Sequence, residues 1–412
     1  MHRRDFIRTS AAAALTPAVA SVSLAQKAAA NPKARAFAGR IRPITAEERA
    51  LRLEKAHELM REHGIDALLF EGGITLAYFT GIYWGRSERL FAMILPRDGE
   101  PQYVAPKFEE SRAAEQVGRA RLLTWEEDES PYALIRQVLK DNNILTGKLG
   151  VEETVRYFVV ENLYTTLGSM QIESATPVTA GCRAVKSIHE IELIQIANDI
   201  TREAYTASLP SLSEGMTAGE FGRILSRNFS ELGVSGGAMV LFGTASSNPH
   251  GTAKEEKLRD GSIVLMDGGC SVEGYSSDVT RTTVFGRPSE KMKKVWGIVR
   301  KTQDAAFRAA RPGVPAEEVD AAARKVVAEA GFGPGYKYFT HRLGHGIGME
   351  GHEWYYLVRG NTRKLQPGNV FTNEPGIYIP GEFGLRLEDE LVVTENGSRP
   401  MLPQAGSLEG IF

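Results

Sequence analysis

The spacing of apolar and polar residues predicts short strands alternating with helices in the first half of the chain. A helix is predicted over residues 45–64, because Thr45 and Glu48 have capping-box spacing at its start and Gly64 ends it. Apolar runs predict strands and amphipathic stretches predict helices after it. The strands are predicted at 65–70, 90–95 and 102–105, and the helices near 108–117 and 131–142. This alternation is typical of an α/β domain.

The second half has longer helical patterns and strands that pair locally. The helices are predicted at 187–208, 216–232, 289–311 and 315–330. Strands 264–269 and 275–285 are predicted to be antiparallel neighbours around a glycine turn, and 370–379 is predicted to pair with 385–394. We place the boundary near residue 180, with an N-terminal α/β domain over 45–180 and an α+β domain over 181–405.

The first residues have the pattern of an export signal. Arg3 and Arg4 precede an apolar run over 11–20, and small residues follow it up to Ala25. We expect a twin-arginine-type signal peptide over 1–25, a linker over 26–44 and a periplasmic or secreted protein. A terminal Ala-rich helix is the alternative. No segment reaches the ~20 apolar residues that a membrane-spanning helix needs, so we expect no membrane span.

Composition narrows the possible partners. The chain has 412 residues, of which 42% are apolar and 24% are charged, as in a globular protein with a sizeable core. Lys and Arg together number 49 against 51 Asp and Glu, so no basic field is present and we expect no nucleic-acid partner. The two cysteines exclude a disulfide-built scaffold.

Four acids and one histidine stand out in the second half: Asp267, Asp278, His345, Glu374 and Glu388. Each acid lies in an apolar, strand-like segment, where an uncompensated carboxylate is costly. Taken singly, each has an ordinary explanation as a turn residue, a salt-bridged acid or a core histidine. Together, buried carboxylates repel one another, and two divalent cations would remove that repulsion. Carboxylates with one imidazole favour manganese, cobalt or zinc.

Strand alternation separates the adjacent acids near the C-terminus. Side chains at even positions share one face, so Arg386, Glu388 and Glu390 lie together and Asp389 points the other way. Glu388 is then the candidate ligand, and Arg386 is a charge next to the site that fixes a carboxylate.

The order of five motifs closely resembles the pita-bread metallopeptidase family, which comprises aminopeptidase P, prolidase, methionine aminopeptidase and the metal-free creatinases. The motifs are MDGG at 266–269, SDVTRT at 277–282, HRLGHGIGMEGHE at 341–353, TNEPGIY at 372–378 and LRLED at 385–389. The segment from Arg183 to Glu190 is similar to the one that opens the catalytic domain in these proteins. The resemblance implies a creatinase-like N-terminal domain followed by a pita-bread catalytic domain.

The resemblance also implies a site with two divalent metal ions, with manganese as our first expectation and cobalt or zinc as alternatives. In that arrangement Asp278 and Glu388 bridge both ions, Asp267 chelates one of them, and His345 and Glu374 bind the other. A metal-bridging hydroxide would attack the scissile carbonyl, and Glu374 would shuttle the proton to the leaving nitrogen.

Three further histidines receive roles from the same resemblance. His250 and His352 would face the substrate, with His352 donating to the carbonyl or to the oxyanion, and His341 would line the same pocket. The N-terminal domain and the intact ligands imply cleavage of Xaa-Pro bonds in proline-containing peptides. The enzyme would be an aminopeptidase or a dipeptidase, and a homodimer or homotetramer.

Several alternatives stay open. Arg359 either binds a substrate carboxylate, as a dipeptidase requires, or is a solvated loop charge, and Trp84 either reaches a neighbouring subunit's site or lies in the core. Thr75 stands where relatives often have Asn. At the level of function, a lyase or non-peptide C–N hydrolase acting on a small osmolyte-like substrate is the alternative, and a non-catalytic binding module is a third.

Overall fold

The computed structural model describes residues 31–254 and 256–412, so the predicted signal over 1–25 lies outside the described residues. Within the predicted linker, Pro32–Ala38 form helix α1. Asn31 caps this helix and also donates from Nδ2 to the carbonyl of Glu231 at 3.0 Å. Arg40 forms an ion pair with Asp199 at 2.8 Å. The segment is therefore docked on the catalytic half.

The N-terminal domain begins with the predicted capping box. Thr45 Oγ1 accepts the N–H of Glu48 at 3.2 Å, Glu48 Oε2 accepts the N–H of Thr45 at 2.8 Å, and Gly64 ends the helix in the left-handed conformation. The helices of this domain are α2 Ala46–His63, α3 Ile74–Thr80, α4 Glu110–Val117, α5 Pro131–Asp141, α6 Tyr157–Leu167 and α7 Thr176–Ala184.

A six-stranded mixed sheet forms the centre of this domain. Its strands are β1 Ala67–Glu71, β2 Ala92–Pro96, β3 Gln102–Pro106, β4 Arg121–Trp125, β5 Gly147–Val151 and β6 Met170–Ser174. Their order is β4-β3-β2-β1-β5-β6, with β1 antiparallel to β2 and parallel to β5. The sequence pattern predicts β1 to β3 and misses β4 to β6, which contain polar or glycine positions and include both sheet edges.

The catalytic half contains four long helices in the described residues 188–254 and 256–412. They are α8 Ile188–Ser208, α9 Ala218–Glu231, α10 Glu290–Ala309 and α11 Ala316–Val327. All four were predicted, and each differs from its predicted ends by a few residues at most. Helix α8 begins at the capping box that Ser187 forms with Glu190.

The first sheet of the catalytic half contains the predicted antiparallel pair. Its strands are β7 Gly236–Phe242, β8 Ser262–Val272, β9 Tyr275–Ser276 and β10 Val279–Phe285. Strand β8 pairs with both β7 and β10, and the turn at Glu273-Gly274 joins it to β9. Residues 277–278 interrupt the second strand, so Asp278 lies at the break between β9 and β10.

The C-terminal strands correct one expectation. Segments 370–379 and 385–394 do not form one continuous pair, because the chain leaves the ladder at Pro375, which has no N–H, and again at 387–388. Strand β13 Val370–Asn373 pairs with β16 Asp389–Thr394, whereas β14 Gly376–Ile379 and β15 Phe383–Arg386 form a separate hairpin. The remaining strands are β11 Gly344–Gly346, β12 Glu353–Leu357 and β17 Gly397–Pro400.

One of three apolar clusters spans both halves, and the other two lie within one half each. Buried side chains of the N-terminal domain, such as Phe79 and Met60, belong to the same cluster as Leu193 and Phe221 of the catalytic half. Trp84 also lies in this cluster, 8% exposed, with its ring stacked on Phe91 at a centroid distance of 4.2 Å. Across the described ranges 31–254 and 256–412, no helix has the length and apolarity that crossing a membrane would require.

Candidate metal centre

Every residue that the sequence analysis placed at the site lines one cavity of about 330 Å³. Arg342, which was not predicted, lines it too. Arg359 does not: it is exposed, lies over the ring of Tyr336 and borders a different surface depression. The lining residues are His250, Asp267, Asp278, His341, Arg342, His345, His352, Glu374, Arg386 and Glu388.

Three of the four carboxylates lie where a strand is interrupted or ends. Asp278 lies between β9 and β10, Glu374 directly follows β13, and Glu388 directly precedes β16. Their backbone N–H groups bond outside the ladder, that of Glu374 to the carbonyl of Leu343 at 2.9 Å and that of Glu388 to the carbonyl of Thr280 at 3.1 Å. The breaks in the sheets therefore bring the carboxylates into one cavity.

The ligand atoms form two groups that share one residue. Asp267, Asp278 and Glu388 offer one group, and His345, Glu374 and Glu388 offer the other, each with its ligand atoms within 4.8 Å of one another. Asp278, His345 and His352 satisfy the same limit. Because they share Glu388, the first two groups are adjacent, and their chemistry fits hard to borderline divalent cations.

The electrostatics of the cavity favour cations. Burial, then repulsion from Asp267 and Glu374, raise the pKa of Asp278 well above its ordinary value. Burial, then repulsion from Asp278, do the same to the pKa of Glu388. Burial raises the pKa of Glu374 to about 8, with Arg386 opposing the shift. Arg386 therefore compensates only part of the negative charge that these carboxylates would carry when ionised.

The histidine ring nitrogens are oriented by their hydrogen bonds. Nδ1 of His345 lies 3.0 Å from the carbonyl of Gly346, which requires N–H there and leaves the lone pair on Nε2. That Nε2 lies 3.5 Å from Glu374 Oε1 and 3.8 Å from Asp278 Oδ2. Burial lowers the pKa of His345 to about 3, so the ring is neutral and can ligate a metal.

His341 lines the cavity, but both of its nitrogens are occupied by protein atoms. Nδ1 lies 2.8 Å from the carbonyl of Arg342, and Nε2 lies 2.8 Å from the hydroxyl of Tyr378. His352 differs, because its Nδ1 accepts from Arg342 Nη2 at 3.1 Å and its Nε2–H is left for a substrate. His250 is exposed at the rim of the cavity.

Arg386 bonds directly to one carboxylate of the site, Asp267, and so lies next to the ligands as strand alternation predicts. Its Nη2 donates to Asp267 Oδ2 at 2.5 Å, its Nη1 to Tyr378 Oη at 2.7 Å, and its Nε to Thr280 Oγ1 at 3.1 Å. Asp389 points away and pairs with buried Arg281 at 2.5 Å. All three guanidinium nitrogens of Arg386 thus donate hydrogen bonds to protein atoms.

Thr280 is a contact that sequence reasoning missed. Its hydroxyl lies 2.9 Å from Asp267 Oδ1 and 2.6 Å from Glu388 Oε2, between residues of both ligand groups. The sequence contained a signal for this contact: Thr280 follows Asp278 by two residues, so both share one face of the predicted strand 275–285. Neither Tyr378 nor Arg342 had such a signal.

A second buried charge cluster, which we call the interdomain cluster, lies behind the turn that carries His352. Glu353 accepts from Arg183 Nη2 at 2.6 Å and from Lys186 Nζ at 2.9 Å. Arg183 Nη1 also donates to Thr75 Oγ1 at 3.1 Å, and Thr75 donates to Glu152 at 3.0 Å. Thr75 therefore connects the N-terminal domain to the segment next to His352.

The interdomain cluster has the opposite electrostatics to the cavity. Burial by itself raises the pKa of Glu353, but attraction to Lys186 and Arg183 outweighs it and holds that pKa at about 2. Here the carboxylate stays ionised between two cations. Its charge is compensated within the protein, so this cluster has no need of a metal ion.

Comparison with known proteins decides the family. Residues 192–395 match Metallopeptidase family M24, and residues 52–185 match the Creatinase/Prolidase N-terminal domain. The chain belongs to metallopeptidase family M24. The expected creatinase-type N-terminal domain and pita-bread catalytic domain are thereby confirmed, as is the expectation of a metallopeptidase.

Individual relatives cover nearly the whole chain. The probable dipeptidase PepE of Mycobacterium tuberculosis is 36% identical over 364 residues, which are 87% of this chain and 95% of that protein. The crystal structure of dipeptidase PepE from Mycobacterium ulcerans has a TM-score of 0.83 and 32% identity, covering 89% of this chain and 98% of that one. A prolidase from Thermococcus sibiricus has a TM-score of 0.78 and 32% identity, covering 85% and 96%.

Proposed function

We propose that this M24 protein is a two-metal exopeptidase that cleaves the Xaa-Pro bond of short peptides or dipeptides. The observation that carries the proposal is the pair of ligand groups sharing Glu388 in a cavity where burial and mutual repulsion raise the carboxylate pKa values despite the one buried cation, Arg386. The names of the relatives support the substrate class, since they include dipeptidases and prolidases.

The donor set fits two divalent cations, which Asp267, Asp278, His345, Glu374 and Glu388 would hold. Manganese is our first choice and cobalt or zinc are alternatives, because carboxylates and one imidazole suit all three. When bound, such ions polarise a carbonyl and lower the pKa of water. Arg386 and Thr280 hold the carboxylates in place for them.

Glu374 is positioned to carry the proton of the reaction. One of its carboxylate oxygens lies 3.5 Å from His345 Nε2 and the other lies 3.8 Å from His341 Nδ1, so the group faces the centre of the cavity. It would take a proton from the attacking water and deliver it to the nitrogen that leaves. A positioned general base of this kind contributes roughly 10²–10⁴-fold.

His352 is positioned to stabilise the carbonyl oxygen as its charge develops. Arg342 fixes the imidazole through Nδ1, which places the N–H on Nε2 and directs a donor at the substrate. His250 lines the same cavity, as a second imidazole that would face the substrate. His341 has no free nitrogen, so we assign it to positioning: it holds the hydroxyl of Tyr378 next to Arg386.

The test uses the full chain, stripped with a chelator and reloaded with manganese. Ala-Pro, Ala-Pro-Ala and Ala-Ala are offered in parallel, and bound metal is counted on the same sample. Cleavage of at least one of the two prolyl substrates, but not of Ala-Ala, is expected. Absence of cleavage with metal bound would reject the proposal and favour the alternatives, a lyase or C–N hydrolase of a small osmolyte-like substrate or a binding module.

We also propose that the protein is exported to the periplasm or secreted by a twin-arginine route. The support is the Arg3-Arg4 pair ahead of the apolar run over 11–20. Cell fractionation with N-terminal sequencing of the mature chain tests it. A start near residue 26 in the exported fraction is expected, and an uncleaved cytosolic chain would refute the proposal.

A further inference from the structure

Arg342 is the one cavity-lining cation of the described residues whose guanidinium is largely unused. Arg386, the other arginine in the cavity wall, is 2% exposed and bonds to Asp267, Thr280 and Tyr378. Arg342 is partly exposed and makes a single side-chain hydrogen bond, to His352. Because an arginine has five N–H donors, most of those on Arg342 remain available to a ligand.

The guanidinium of Arg342 lies over an aromatic ring at the cavity wall. Its central carbon lies 4.0 Å from the ring centroid of Tyr356, and Tyr356 packs edge-on against Trp354 at 5.4 Å. Within the ranges 31–254 and 256–412, no carboxylate lies within 4.0 Å of its nitrogens. A stacked guanidinium with free N–H edges is suited to binding a carboxylate through two parallel hydrogen bonds.

We propose that Arg342 binds the free C-terminal carboxylate of the substrate and thereby makes the enzyme a dipeptidase. This inference rests on the proposed function, which places the scissile carbonyl at His352. In a Xaa-Pro dipeptide, the carboxylate carbon is only two bonds from the nitrogen of the scissile bond. A guanidinium bonded to His352 is therefore within reach of that carboxylate.

The same geometry disfavours longer peptides. In a tripeptide, the position of the carboxylate is taken by a neutral peptide carbonyl, and a charge-assisted hydrogen bond is roughly twice as strong as a neutral one. The cavity of about 330 Å³ is also at the small end of the range for ligand sites. Arg342 thus selects for chain length as well as for charge.

The experiment compares Ala-Pro with its C-terminal amide, Ala-Pro-NH2, in manganese-loaded wild type and Arg342→Gln. Wild type is expected to favour the free acid. The variant is expected to lose roughly 10–100-fold in kcat/KM for Ala-Pro, mainly through KM, while the amide changes by less than about threefold. Arg342→Lys, which keeps the charge without the fork, should restore part of the loss.

Arg363 provides the matched control. It stacks on Tyr355 at 4.1 Å and bonds to the hydroxyl of that residue, on the strand that also carries Tyr356, but it does not line the cavity. Arg363→Gln should leave the acid-to-amide ratio unchanged.

Two results would overturn the assignment while leaving the proposed function intact. One is equal cleavage of acid and amide by wild type, and the other is an equal loss on both substrates in Arg342→Gln, mainly in kcat. The latter would mean that Arg342 acts only by orienting His352. Failure to cleave either prolyl substrate would instead reject the proposed function, and this assignment with it.

Discussion

The cavity and the interdomain cluster both contain buried or half-buried carboxylates next to an arginine, yet they differ in charge balance. In the interdomain cluster, Glu353 lies between Arg183 and Lys186, and its pKa is held at about 2. In the cavity, Asp278 and Glu388 face other carboxylates, and burial and repulsion raise their pKa values. Protein side chains compensate the charge of Glu353, whereas Arg386 compensates the carboxylates of the cavity only in part, which favours the binding of cations there.

This difference separates a structural role from a chemical one. A buried carboxylate paired with cations links parts of the fold, here the N-terminal domain through Thr75 to the turn next to His352. A group of buried carboxylates without such pairing is costly to the apo fold. We interpret that cost as the property that gives the cavity its affinity for divalent ions.

The largest expected effect is on turnover. Glu374→Gln keeps the shape of the side chain but removes the proton carrier, so kcat for Ala-Pro should fall by about 10²–10⁴-fold. Steady-state kinetics with metal counting on the same sample is the measurement. Turnover within tenfold of wild type would refute the role that we assign to Glu374.

The next largest effect is expected on the free energy of unfolding, from a substitution in the interdomain cluster. Glu353→Gln leaves buried Lys186 without its counter-charge and leaves Arg183 paired only with the more exposed Glu350, and breaking a buried pair in this way costs about 3–5 kcal/mol. Urea unfolding of the chelated protein measures this change. A loss below ~1 kcal/mol would show that the cluster is solvated and does not link the domains.

The pH dependence of stability should differ between chelated and metal-loaded protein. The folded pKa of Glu374, about 8, is above its ordinary 4.5, so its stabilising contribution is complete below pH 4.5 and is lost as pH rises through 8. His341 and His345, whose pKa values fall from 6.5 to about 3, act in the opposite direction, but only below pH 6.5.

Above pH 6.5 the carboxyl groups therefore dominate the trend, Glu374 in the cavity and Glu390 outside it, each with a pKa of about 8. The unfolding midpoint of the chelated protein should decrease from pH 6.5 to 8, and saturating manganese should reduce the slope and add ~2.7 kcal/mol at a hundred times Kd. Thermal unfolding at matched ionic strength measures both. An unfolding midpoint that does not change with pH in the chelated protein would contradict our interpretation that burial and repulsion raise the carboxylate pKa values.

The smallest effect is expected at Thr280. Thr280→Val keeps the shape of the side chain but removes the hydroxyl between Asp267 and Glu388, and loss of such a supporting contact costs about 10–100-fold in metal affinity. Calorimetric titration of manganese measures the change. Thr280→Ser is the control and should bind as wild type does, and equal affinity of the Val variant would exclude the supporting role.

The sequence was most informative where local rules determine structure. The capping boxes at Thr45 and Ser187 correctly predicted the starts of two helices, and alternation correctly separated Asp389 from Glu388. The acids of the site could be chosen because charge is rare in apolar strands. Long-range contacts gave no such signal, which is why Arg342 and Tyr378 were missed.

The missed elements have physical reasons as well. Edge strands such as β4 are only partly buried and lack a clear apolar pattern. Helix α1 forms at Asn31 and docks by tertiary contacts that no local pattern indicates. The break of the predicted pair near Pro375 and Leu387 depends on where distant backbone groups accept hydrogen bonds.

The most direct test of the contrast is the free energy of unfolding of Glu374→Gln and Glu353→Gln, measured side by side in chelated protein at pH 7. Both substitutions remove one buried carboxylate and keep its shape. Glu374→Gln should raise the stability by at least ~1 kcal/mol, because it removes the cost of burying a carboxyl whose pKa is raised to about 8, chiefly by burial, and Glu353→Gln should lower it. Destabilisation by both variants would contradict our account of the cavity as a site whose carboxylates destabilise the metal-free protein and are stabilised by bound cations.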